Sequence, residues 1–418
     1  MNVLIKSATI LDASSDFHTQ TQDILVENGF ITQIAKTLKN PNKYPVIELE
    51  NLHVSKGWFD SSVSFGEPGY EERETIANGL KVAASSGFTD IALNANTNPV
   101  LDSHADIAFV ISKASDAATN LHPIGALTKG SEGVDLAELF DMKTAGSIAF
   151  GDYKKPIENP NLLKIALQYA ANFDGLVHSF PHEPKIAAKG VMNENVTSTR
   201  LGLKGLPALA EELQIVRDLF LLEYTGGKLH IPTISTKKSV ELIREAKTKK
   251  LDISCSVAIH NLLFTDENLT DFDTNFKVNP PLRTDSDLEA LINGLKDGTI
   301  DMVTSDHNPV DVEDKKIEFE YAKNGTLGLE SAFGALNSLF TTKKAVQLLT
   351  KGKQRFGLKN ESIKVGNTAQ FSLFNPSGSS IFEVKNLLSK SKNSLFIGTK
   401  LKGSVYGIIA NNKTSIAL

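Results

Sequence analysis

Short runs of alternating hydrophobic and polar residues occupy both ends of the chain. Residues 1–52 contain apolar runs such as Ile24-Leu25-Val26 and Ile31-Thr32-Gln33-Ile34, and the Asn28-Gly29 pair between these two runs is typical of a hairpin turn. Residues 362–418 contain similar short runs bounded by turn residues. We therefore predict that both termini form β-strands, which pair into one small β-sandwich.

The long middle of the chain, residues 53–361, alternates between short apolar segments and longer amphipathic ones. For example, a strand pattern at 89–93 is followed by a helical pattern at 105–120. Repeated strand–helix units of this length favour parallel pairing of the strands. Roughly seven or eight such units over about 300 residues fit a closed (β/α)8 barrel of the TIM type better than an open sheet. The predicted fold is therefore α/β, with residues 53–361 forming the barrel.

The composition limits the functions that this chain can have. It has 418 residues, is 41% hydrophobic and carries a formal net charge of −5, so it can bury a large core. Its charges form no basic block, and we expect no nucleic-acid partner. It has no apolar run of about 18 residues or more, and we expect no membrane span. The single cysteine, Cys255, excludes an internal disulfide and a thiolate zinc site, and we expect a cytoplasmic protein.

The end of the first barrel strand carries the most informative pattern. Asp60, Ser62 and Ser64 stand at alternate positions, and residues two apart lie on the same face of a strand. Metal-dependent hydrolases built on this barrel usually have Asp-x-His-x-His here, so that both imidazoles bind one metal. Both histidine positions are serine in this chain, and a neutral hydroxyl is a poor ligand for zinc.

Motifs along nearly the whole chain carry a resemblance to a known family. In their order and spacing they resemble those of dihydroorotases, the cyclic-amide hydrolases of pyrimidine biosynthesis in the amidohydrolase superfamily. The similarity is greatest to the type of dihydroorotase that partners aspartate transcarbamoylase. The motifs are FGEPG at 65–69, NANTNPV at 94–100, GALTKG at 125–130, MNE at 192–194, LGLKGLP at 201–207, KVNPPLR at 277–283, DGTID at 297–301 and GLE at 328–330.

The resemblance implies a two-metal site in which half of the ligand positions keep a residue that could bind metal. The bridging acid of the family matches Asp152, one histidine matches His178, and the last-strand aspartate, which is also the general acid/base, matches Asp306. A His–Asp pair or two carboxylates would hold zinc weakly, so we expect these remnant ligands to hold no metal and Asp306 to be vestigial. The other positions are lost ligands, namely Ser62, Ser64 and Thr233.

The resemblance also implies a substrate-binding set that is incomplete. The family holds the dihydroorotate carboxylate with an arginine, and Gly66 occupies that position. A bidentate contact between an arginine and a carboxylate is among the strongest polar contacts that a site can offer. Asn96, Asn279 and His307 match family residues at the substrate, and we expect them to remain as vestigial binding residues.

Structural roles for the same residues remain open at this point. Asp306 could hydrogen-bond a loop or cap a helix, and Asp152 could pair with Lys154 or Lys155. His178 could be a buried imidazole whose nitrogen atoms are satisfied by neighbours. The asparagines could hold loops instead of a ligand.

Three functions are consistent with this sequence. The first is a dihydroorotase homologue that lacks hydrolase activity, needs no cofactor and acts as a structural or regulatory partner of aspartate transcarbamoylase. The second is an active hydrolase that converts dihydroorotate and water to N-carbamoyl-aspartate with an unusual or single zinc site. The third is a small-molecule binding protein. We favour the first function, and we expect the chain to be a homo-oligomer.

Overall fold

The computed structural model describes residues 1–416, in which the strands form two eight-stranded sheets and one short parallel pair. In chain order the strands are β1 (Val3–Leu11), β2 (Thr21–Glu27), β3 (Phe30–Ala35), β4 (Val46–Ile47), β5 (His53–Lys56), β6 (Trp58–Val63), β7 (Phe88–Leu93), β8 (Asn120–Gly125), β9 (Ala149–Phe150), β10 (Leu176–His178), β11 (Met192–Asn193), β12 (Gly205–Leu206), β13 (Lys228–Ile231), β14 (Ile253–Ala258), β15 (Met302–Thr304), β16 (Phe371–Ile381), β17 (Lys400–Ala410) and β18 (Lys413–Ile416).

Helices follow most barrel strands, and several begin at a residue that caps the first turn. The side chains of Thr75, Ser103 and Thr284 each accept a hydrogen bond from a backbone N–H of the helix that follows. In residues 1–416, every helix is too short or too polar to traverse a bilayer. In chain order the helices are α1 (Ile76–Ser85), α2 (His104–Ala114), α3 (Leu139–Ala145), α4 (Pro160–Ala171), α5 (Pro184–Ala187), α6 (Val196–Leu201), α7 (Ala208–Thr225), α8 (Lys237–Thr248), α9 (Asp285–Asp297), α10 (Val312–Lys315), α11 (Ala332–Leu339) and α12 (Thr342–Lys351).

The segment predicted as one helix over 105–120 is shorter in the structure. Helix α2 ends at Ala114, and Asn120 begins β8. Asn120 pairs with Asp90 of β7 in parallel register, and its side-chain amide donates to the Asp90 carboxylate at 3.0 Å. Pairing with the neighbouring strand therefore determines the end of this segment, and a local pattern does not contain that information.

The strands of the two chain termini form one mixed sheet, as expected if the termini pair. β1 pairs antiparallel with β2 and parallel with β5, and β5 pairs antiparallel with β16 from the C-terminal region. One face of this sheet is apolar and packs around Ile5, Ile24 and Phe371. Because β6 follows β5 after one residue, the terminal sheet also fixes where the chain enters the barrel.

The second sheet is a parallel barrel, which confirms the predicted TIM-like architecture. Its strand order is β6–β7–β8–β9–β10–β13–β14–β15. The first and last strands meet where Val63 bridges to His307, and the Ser64 N–H donates to the His307 carbonyl at 2.8 Å. The carboxyl ends of all eight strands therefore lie at one end of the barrel.

Apolar side chains fill the barrel interior below these strand ends. The Phe356 ring contacts the rings of His178 and His230, with centroid distances of 5.6 and 5.8 Å. The polar groups at the strand ends therefore pack on an apolar layer that keeps water out of the barrel centre. This layer is formed by Phe59, Ala92, Ile124, Ala149, Leu176, Met302 and Phe356.

Candidate functional site

The carboxyl ends of the barrel strands enclose a cavity of about 10 Å³. A cavity of this volume holds about one water molecule. The residues that line it include some that the sequence assigns to the site and two, Tyr153 and Lys154, that it does not. Its polar lining includes Ser62, Tyr153, Lys154, His178, Thr233 and Asp306.

An ion pair between Lys154 and Asp306 lies at the centre of the site. The Lys154 ammonium is 2.7 Å from Asp306 Oδ2, and the two side chains are 13% and 2% exposed. Burial is the largest single influence and lowers the pKa of Lys154, but the negative charge of Asp306, together with Tyr153 and the hydrogen bonds to both, raises this pKa above its ordinary value. Lys154 is therefore a cation at neutral pH and supplies the positive charge that the buried carboxylate needs.

The loop after β9 turns so that Tyr153 and Lys154, and not Asp152, face the cavity. Tyr153 has a positive φ of 56°. The Asp152 carboxylate points the other way and accepts hydrogen bonds from the N–H groups of Leu127 at 2.8 Å and Thr128 at 3.0 Å. Asp152 therefore stabilises the loop after β8 and points away from the other two remnant ligands, His178 and Asp306.

The alternative partners considered for Asp152 are engaged elsewhere. Lys154 pairs with Asp306, and Lys155 Nζ donates to the Ser131 carbonyl at 3.1 Å. Burial raises the pKa of Asp152, and the hydrogen bonds from Thr128 oppose that rise. The role of Asp152 is thus fixed by backbone N–H groups and not by a neighbouring lysine.

The serines at the two lost histidine positions are held by asparagines of the next strand end. The Asn94 side-chain amide donates to Ser62 Oγ at 3.1 Å and to Ser64 Oγ at 3.3 Å. Ser64 Oγ in turn donates to Asn96 Oδ1 at 3.0 Å. These hydroxyls therefore belong to a hydrogen-bonded chain that links the ends of β6 and β7. The carbonyl oxygen of Asn96, expected as a vestigial substrate contact, is used within this chain.

His178 and Thr233 approach the cavity from neighbouring strands. The His178 ring lies 4.8 Å from the His230 ring, and His230 contacts the hydroxyls of Ser254 at 2.8 Å and Ser256 at 3.3 Å. Burial lowers the pKa of His178 to about 3, so its imidazole is neutral at pH 7. Thr233 has a φ of +52°, which is rare for a β-branched residue. The backbone here therefore holds a conformation that its side chain disfavours.

Gly66, at the position of the family's arginine, lies in a tight loop without space for a side chain. Its N–H donates to the Glu74 carbonyl at 2.9 Å, and its carbonyl accepts from the Tyr70 N–H at 2.8 Å. A Cβ atom at this position would lie 1.7 Å from the Tyr70 carbonyl oxygen. An arginine therefore requires a different conformation of this loop.

Several buried polar atoms near the barrel's carboxyl end have no hydrogen-bond partner among residues 1–416. One of them belongs to His178, so its ring is not the fully satisfied imidazole that the structural alternative requires. A buried polar atom without a partner costs roughly 1–3 kcal/mol, which favours water at such positions. The atoms are Tyr153 Oη, His178 Nε2, His260 Nδ1 and Nε2, Asn279 Oδ1, Asp306 Oδ1 and His307 Nε2.

Comparison with known proteins assigns this geometry to a family. A family model described as Dihydro-orotase-like matches residues 53–239. The dihydroorotases of Geotalea daltonii and Acetivibrio thermocellus are 38% and 39% identical to this chain, and each alignment covers 99% of both chains. The chain belongs to the dihydroorotase family. The resemblance carried by its motifs is thereby confirmed.

Solved structures with lower sequence identity share the fold. An L-hydantoinase (dihydropyrimidinase) from Arthrobacter aurescens matches with a TM-score of 0.84 and 20% identity, over 100% of this chain and 97% of that chain. A D-hydantoinase (dihydropyrimidinase) from Thermus sp. matches with a TM-score of 0.80 and 20% identity, over 98% and 94%. At this identity the likeness shows the barrel and the terminal sheet alone.

The donor set of this dihydroorotase-family site does not fit a divalent metal pair. Within the described part of the chain, no three His, Cys, Asp or Glu side chains come together in a way that could hold a metal ion. Ser62, Ser64 and Thr233 present neutral hydroxyls, and Asp306 is bonded to an ammonium. A divalent cation beside Lys154 would also be repelled by its charge. This geometry therefore supports no reaction step through a bound metal.

Lys154 lies at the centre of this dihydroorotase-family site, and sequence reasoning did not place it there. It stands two positions after Asp152, and that spacing indicated a local pair between them. The usable signal was a lysine in the loop after a barrel strand, because the loops at the carboxyl ends of the strands surround the site of such a barrel. A cation at that place can neutralise the last-strand aspartate from across the barrel.

Proposed function

We propose that this chain is a dihydroorotase-family protein without hydrolase activity, which serves in the cytoplasm as a structural or regulatory partner of aspartate transcarbamoylase in pyrimidine biosynthesis. It needs no metal cofactor in this role. The supporting observation is the Lys154–Asp306 ion pair beside a cavity of about 10 Å³.

The ion pair supports the proposed inactivity, because it engages the residue at the family's base position. Opening a cyclic amide with water requires a group that takes a proton from the attacking water, and Asp306 matches the family residue in that role. Here Asp306 Oδ2 is bonded to the Lys154 ammonium. A hydrogen bond to an ammonium lowers the basicity of a carboxylate, and free water, with a pKa of about 15.7, needs a strong general base. Asp306 in this ion pair is therefore a weak general base for the attack of water on the amide.

The size of the cavity supports the proposed lack of activity. Small-molecule sites typically enclose about 300–1,000 Å³, whereas this cavity holds about one water molecule. The loop at Gly66 also closes the position from which the family's arginine would reach the substrate carboxylate. A dihydroorotate ring would have to displace both the ion pair and the loop.

Inactivity is tested by metal analysis combined with a dihydroorotate hydrolysis assay on the full chain. We expect less than stoichiometric zinc after dialysis and no turnover above the blank, with the Acetivibrio thermocellus dihydroorotase as the positive control. The variant Asp306→Asn serves as the matched control for a contaminating hydrolase. One tightly held zinc per chain, with turnover that Asp306→Asn abolishes, would overturn the proposal.

The partner role is supported by the intact fold of the chain. The barrel and the terminal sheet are complete, and binding to another protein requires surface complementarity and no metal. We expect the purified chain and the aspartate transcarbamoylase of the same organism to form a complex of fixed stoichiometry in size-exclusion chromatography with light scattering. Separate elution of the two proteins at micromolar concentration would contradict this role.

A dihydroorotase with an unusual or single zinc is the second candidate. The identity of 38–39% to dihydroorotases along almost the whole chain favours it. This function requires Lys154 to leave Asp306, so the variant Lys154→Met should gain turnover in the same assay. Equal inactivity of the wild type and this variant would dismiss the candidate.

A small-molecule binding protein is the third candidate, and the unpaired polar atoms of Asn279 and His307 favour it. It predicts that dihydroorotate or N-carbamoyl-aspartate raises the melting temperature, and that Asn279→Ala abolishes the rise. Unchanged melting temperatures with millimolar ligand would exclude it.

A further inference from the structure

Helix α7 presents an apolar stripe to the outside of the barrel. Leu209, Leu213, Phe220 and Tyr224 are 53%, 45%, 71% and 77% exposed. At 100° per residue their side chains fall within about 60° of one another around the helix. The opposite face, which includes Ile215 and Leu222, is buried against the barrel. Contiguous exposed apolar patches of this kind mark binding surfaces more often than isolated residues do.

The spacing of the stripe is symmetric about one point of the helix. Leu213 and Phe220 lie equally far from the midpoint between residues 216 and 217, and so do Leu209 and Tyr224. A two-fold axis through that midpoint, perpendicular to the helix, therefore brings each leucine opposite an aromatic residue. A self-complementary patch is what a two-fold interface between identical chains requires.

We propose that α7 is a self-association surface, on which a second copy of this chain packs its own α7 antiparallel about a two-fold axis near Val216 and Arg217. Leu213 then contacts Phe220 of the partner subunit, and Leu209 contacts Tyr224 of the partner subunit. This inference does not depend on whether the barrel cavity is catalytic, and it goes beyond the proposed function.

The charges on the helix are compatible with this packing. Arg217, near the axis, is already engaged, because Nε donates to Asp218 at 3.0 Å and Nη2 donates to the Ile157 carbonyl at 2.7 Å. Two copies of Arg217 therefore meet without a free like charge. Glu223, at the edge of the stripe, pairs with Lys249 at 3.4 Å. The result is an apolar centre with a polar rim, which is the usual anatomy of an interface.

The available area reaches the range of a stable dimer. The adjacent helix α4 adds Ile165 and Tyr169, each 42% exposed. With side-chain areas on the order of 150–250 Å², the six residues expose roughly 600 Å² per chain and roughly 1,200 Å² per pair. Specific interfaces begin at about 1,200 Å² in total.

A groove beside Phe220 extends the apolar surface of α7 towards α8. It has a volume of about 190 Å³ and runs between α7 and α8. In the proposed register Leu213 of the partner subunit lies over Phe220, at the border of this groove. The apolar side chains of the groove are Val216, Leu219, Phe220, Leu242, Ala246 and Leu251.

Light scattering of the full chain at about 1–50 µM measures the association. We expect a dimer for the wild type and for the control Tyr321→Glu, whose side chain is 72% exposed on the loop after β15. Phe220→Glu should raise the dissociation constant roughly 100-fold or more, because a charge would lie in the centre of the interface. Its circular dichroism spectrum at 20 °C should match that of the control, because Phe220 is 71% exposed in the single chain and its replacement leaves the fold intact.

Disulfide trapping tests the antiparallel register. In this register residue 213 lies beside 220 of the partner but about 10 Å along the axis from its own copy. A mixture of Leu213→Cys and Phe220→Cys chains should therefore form a cross-linked dimer, whereas each variant alone should not. The native Cys255 is buried and gives no background in the folded chain.

Four results would overturn the inference. They are a monomeric wild type at 50 µM, a Phe220→Glu variant that dimerises like the control, cross-linking of Leu213→Cys with itself, and a wild-type monomer that loses binding to aspartate transcarbamoylase through Phe220→Glu. The last result would assign the stripe to that partner. None of the four bears on hydrolase activity, so failure here and failure of the proposed function are distinguishable.

Discussion

Replacing Lys154 by methionine tests the ion pair in the barrel. Methionine keeps most of the length of lysine and removes its charge, so the variant leaves the Asp306 carboxylate buried without a counter-charge. Removal of one partner of a buried pair typically costs about 3–5 kcal/mol of unfolding free energy. Because the Lys154 side chain is 13% exposed and partly reached by solvent, we expect a loss of about 3 kcal/mol, at the lower end of that range.

The loss should grow with pH. Burial raises the pKa of Asp306, and without Lys154 nothing charged opposes that rise. Below the unfolded pKa of about 4 both states are protonated and the penalty is small. Between that value and the raised folded pKa the penalty increases by up to about 1.4 kcal/mol per pH unit, and it is complete above the folded pKa. The variant should therefore be closer to wild type at pH 5 than at pH 7.5.

A double-mutant cycle measures the coupling energy between Lys154 and Asp306 separately from their contacts with other residues. Asp306→Asn alone leaves a buried ammonium, whereas Lys154→Met with Asp306→Asn removes both charges. We expect the double variant to be less destabilised than the sum of the single variants by at least about 1 kcal/mol. Lys155→Met is the matched control, because Lys155 contacts only a backbone carbonyl among the described residues, and it should cost less than about 1 kcal/mol.

Urea unfolding followed by tryptophan fluorescence measures these differences, since the single tryptophan, Trp58, is fully buried in β6. The reasoning fails if Lys154→Met lies within about 0.5 kcal/mol of wild type at pH 7.5. It also fails if the loss at pH 5 equals that at pH 7.5, because the destabilisation would then come from packing and not from an unpaired carboxylate.

Three further predictions follow from the geometry. Gly66→Ala should lower the unfolding free energy by about 2–4 kcal/mol in urea titrations, because the new Cβ would lie 1.7 Å from a carbonyl oxygen. A loss below about 1 kcal/mol would show that the loop changes conformation to accommodate the methyl group. Histidines restored at all three lost ligand positions should give no tightly held zinc by metal analysis until Lys154→Met is added. Burial lowers the pKa of three histidines to about 3, so the unfolded chain binds protons at these residues below pH 6.5 and the folded chain does not. The free energy of unfolding should therefore be greatest above pH 6.5 and fall below it by up to about 1.4 kcal/mol per pH unit for each histidine. An unfolding free energy that is constant between pH 7.5 and 5.5 would contradict this. These histidines are His178, His260 and His307.

The barrel could be predicted from the sequence because its determinants are local and repeated. Each strand has its own apolar run, and each helix has its own polar face. An error in the predicted bounds of one element therefore does not change the predicted number of strand–helix units. Asn120 shows the limit of this reasoning. Its place in β8 depends on Asp90 of the neighbouring strand, and that contact is not visible within the segment 105–120.

The candidate site could be located but not assembled from the sequence. The motif frame identifies the strand ends, and Ser62, His178, Thr233 and Asp306 do line one cavity. After β9 the chain turns through Tyr153, which has a positive φ, and Tyr153 and Lys154 rather than Asp152 face that cavity. No residue pattern in the loop predicts that turn, so the pairing of Lys154 with Asp306 became visible only in three dimensions.

An acid at a barrel strand end need not be a relic of metal binding. The Asp60 carboxylate accepts from the Ser305 N–H at 2.9 Å and the Ser62 N–H at 3.1 Å, and so joins the first and last strands. Asp152 accepts from two N–H groups of the loop after β8. Both carboxylates join neighbouring strand ends through backbone N–H groups, so each has a structural role in the barrel. Asp306 differs, because its charge is balanced by Lys154 and not by backbone N–H groups. In the proposed function, Lys154 is therefore the residue that supplies the positive charge beside Asp306.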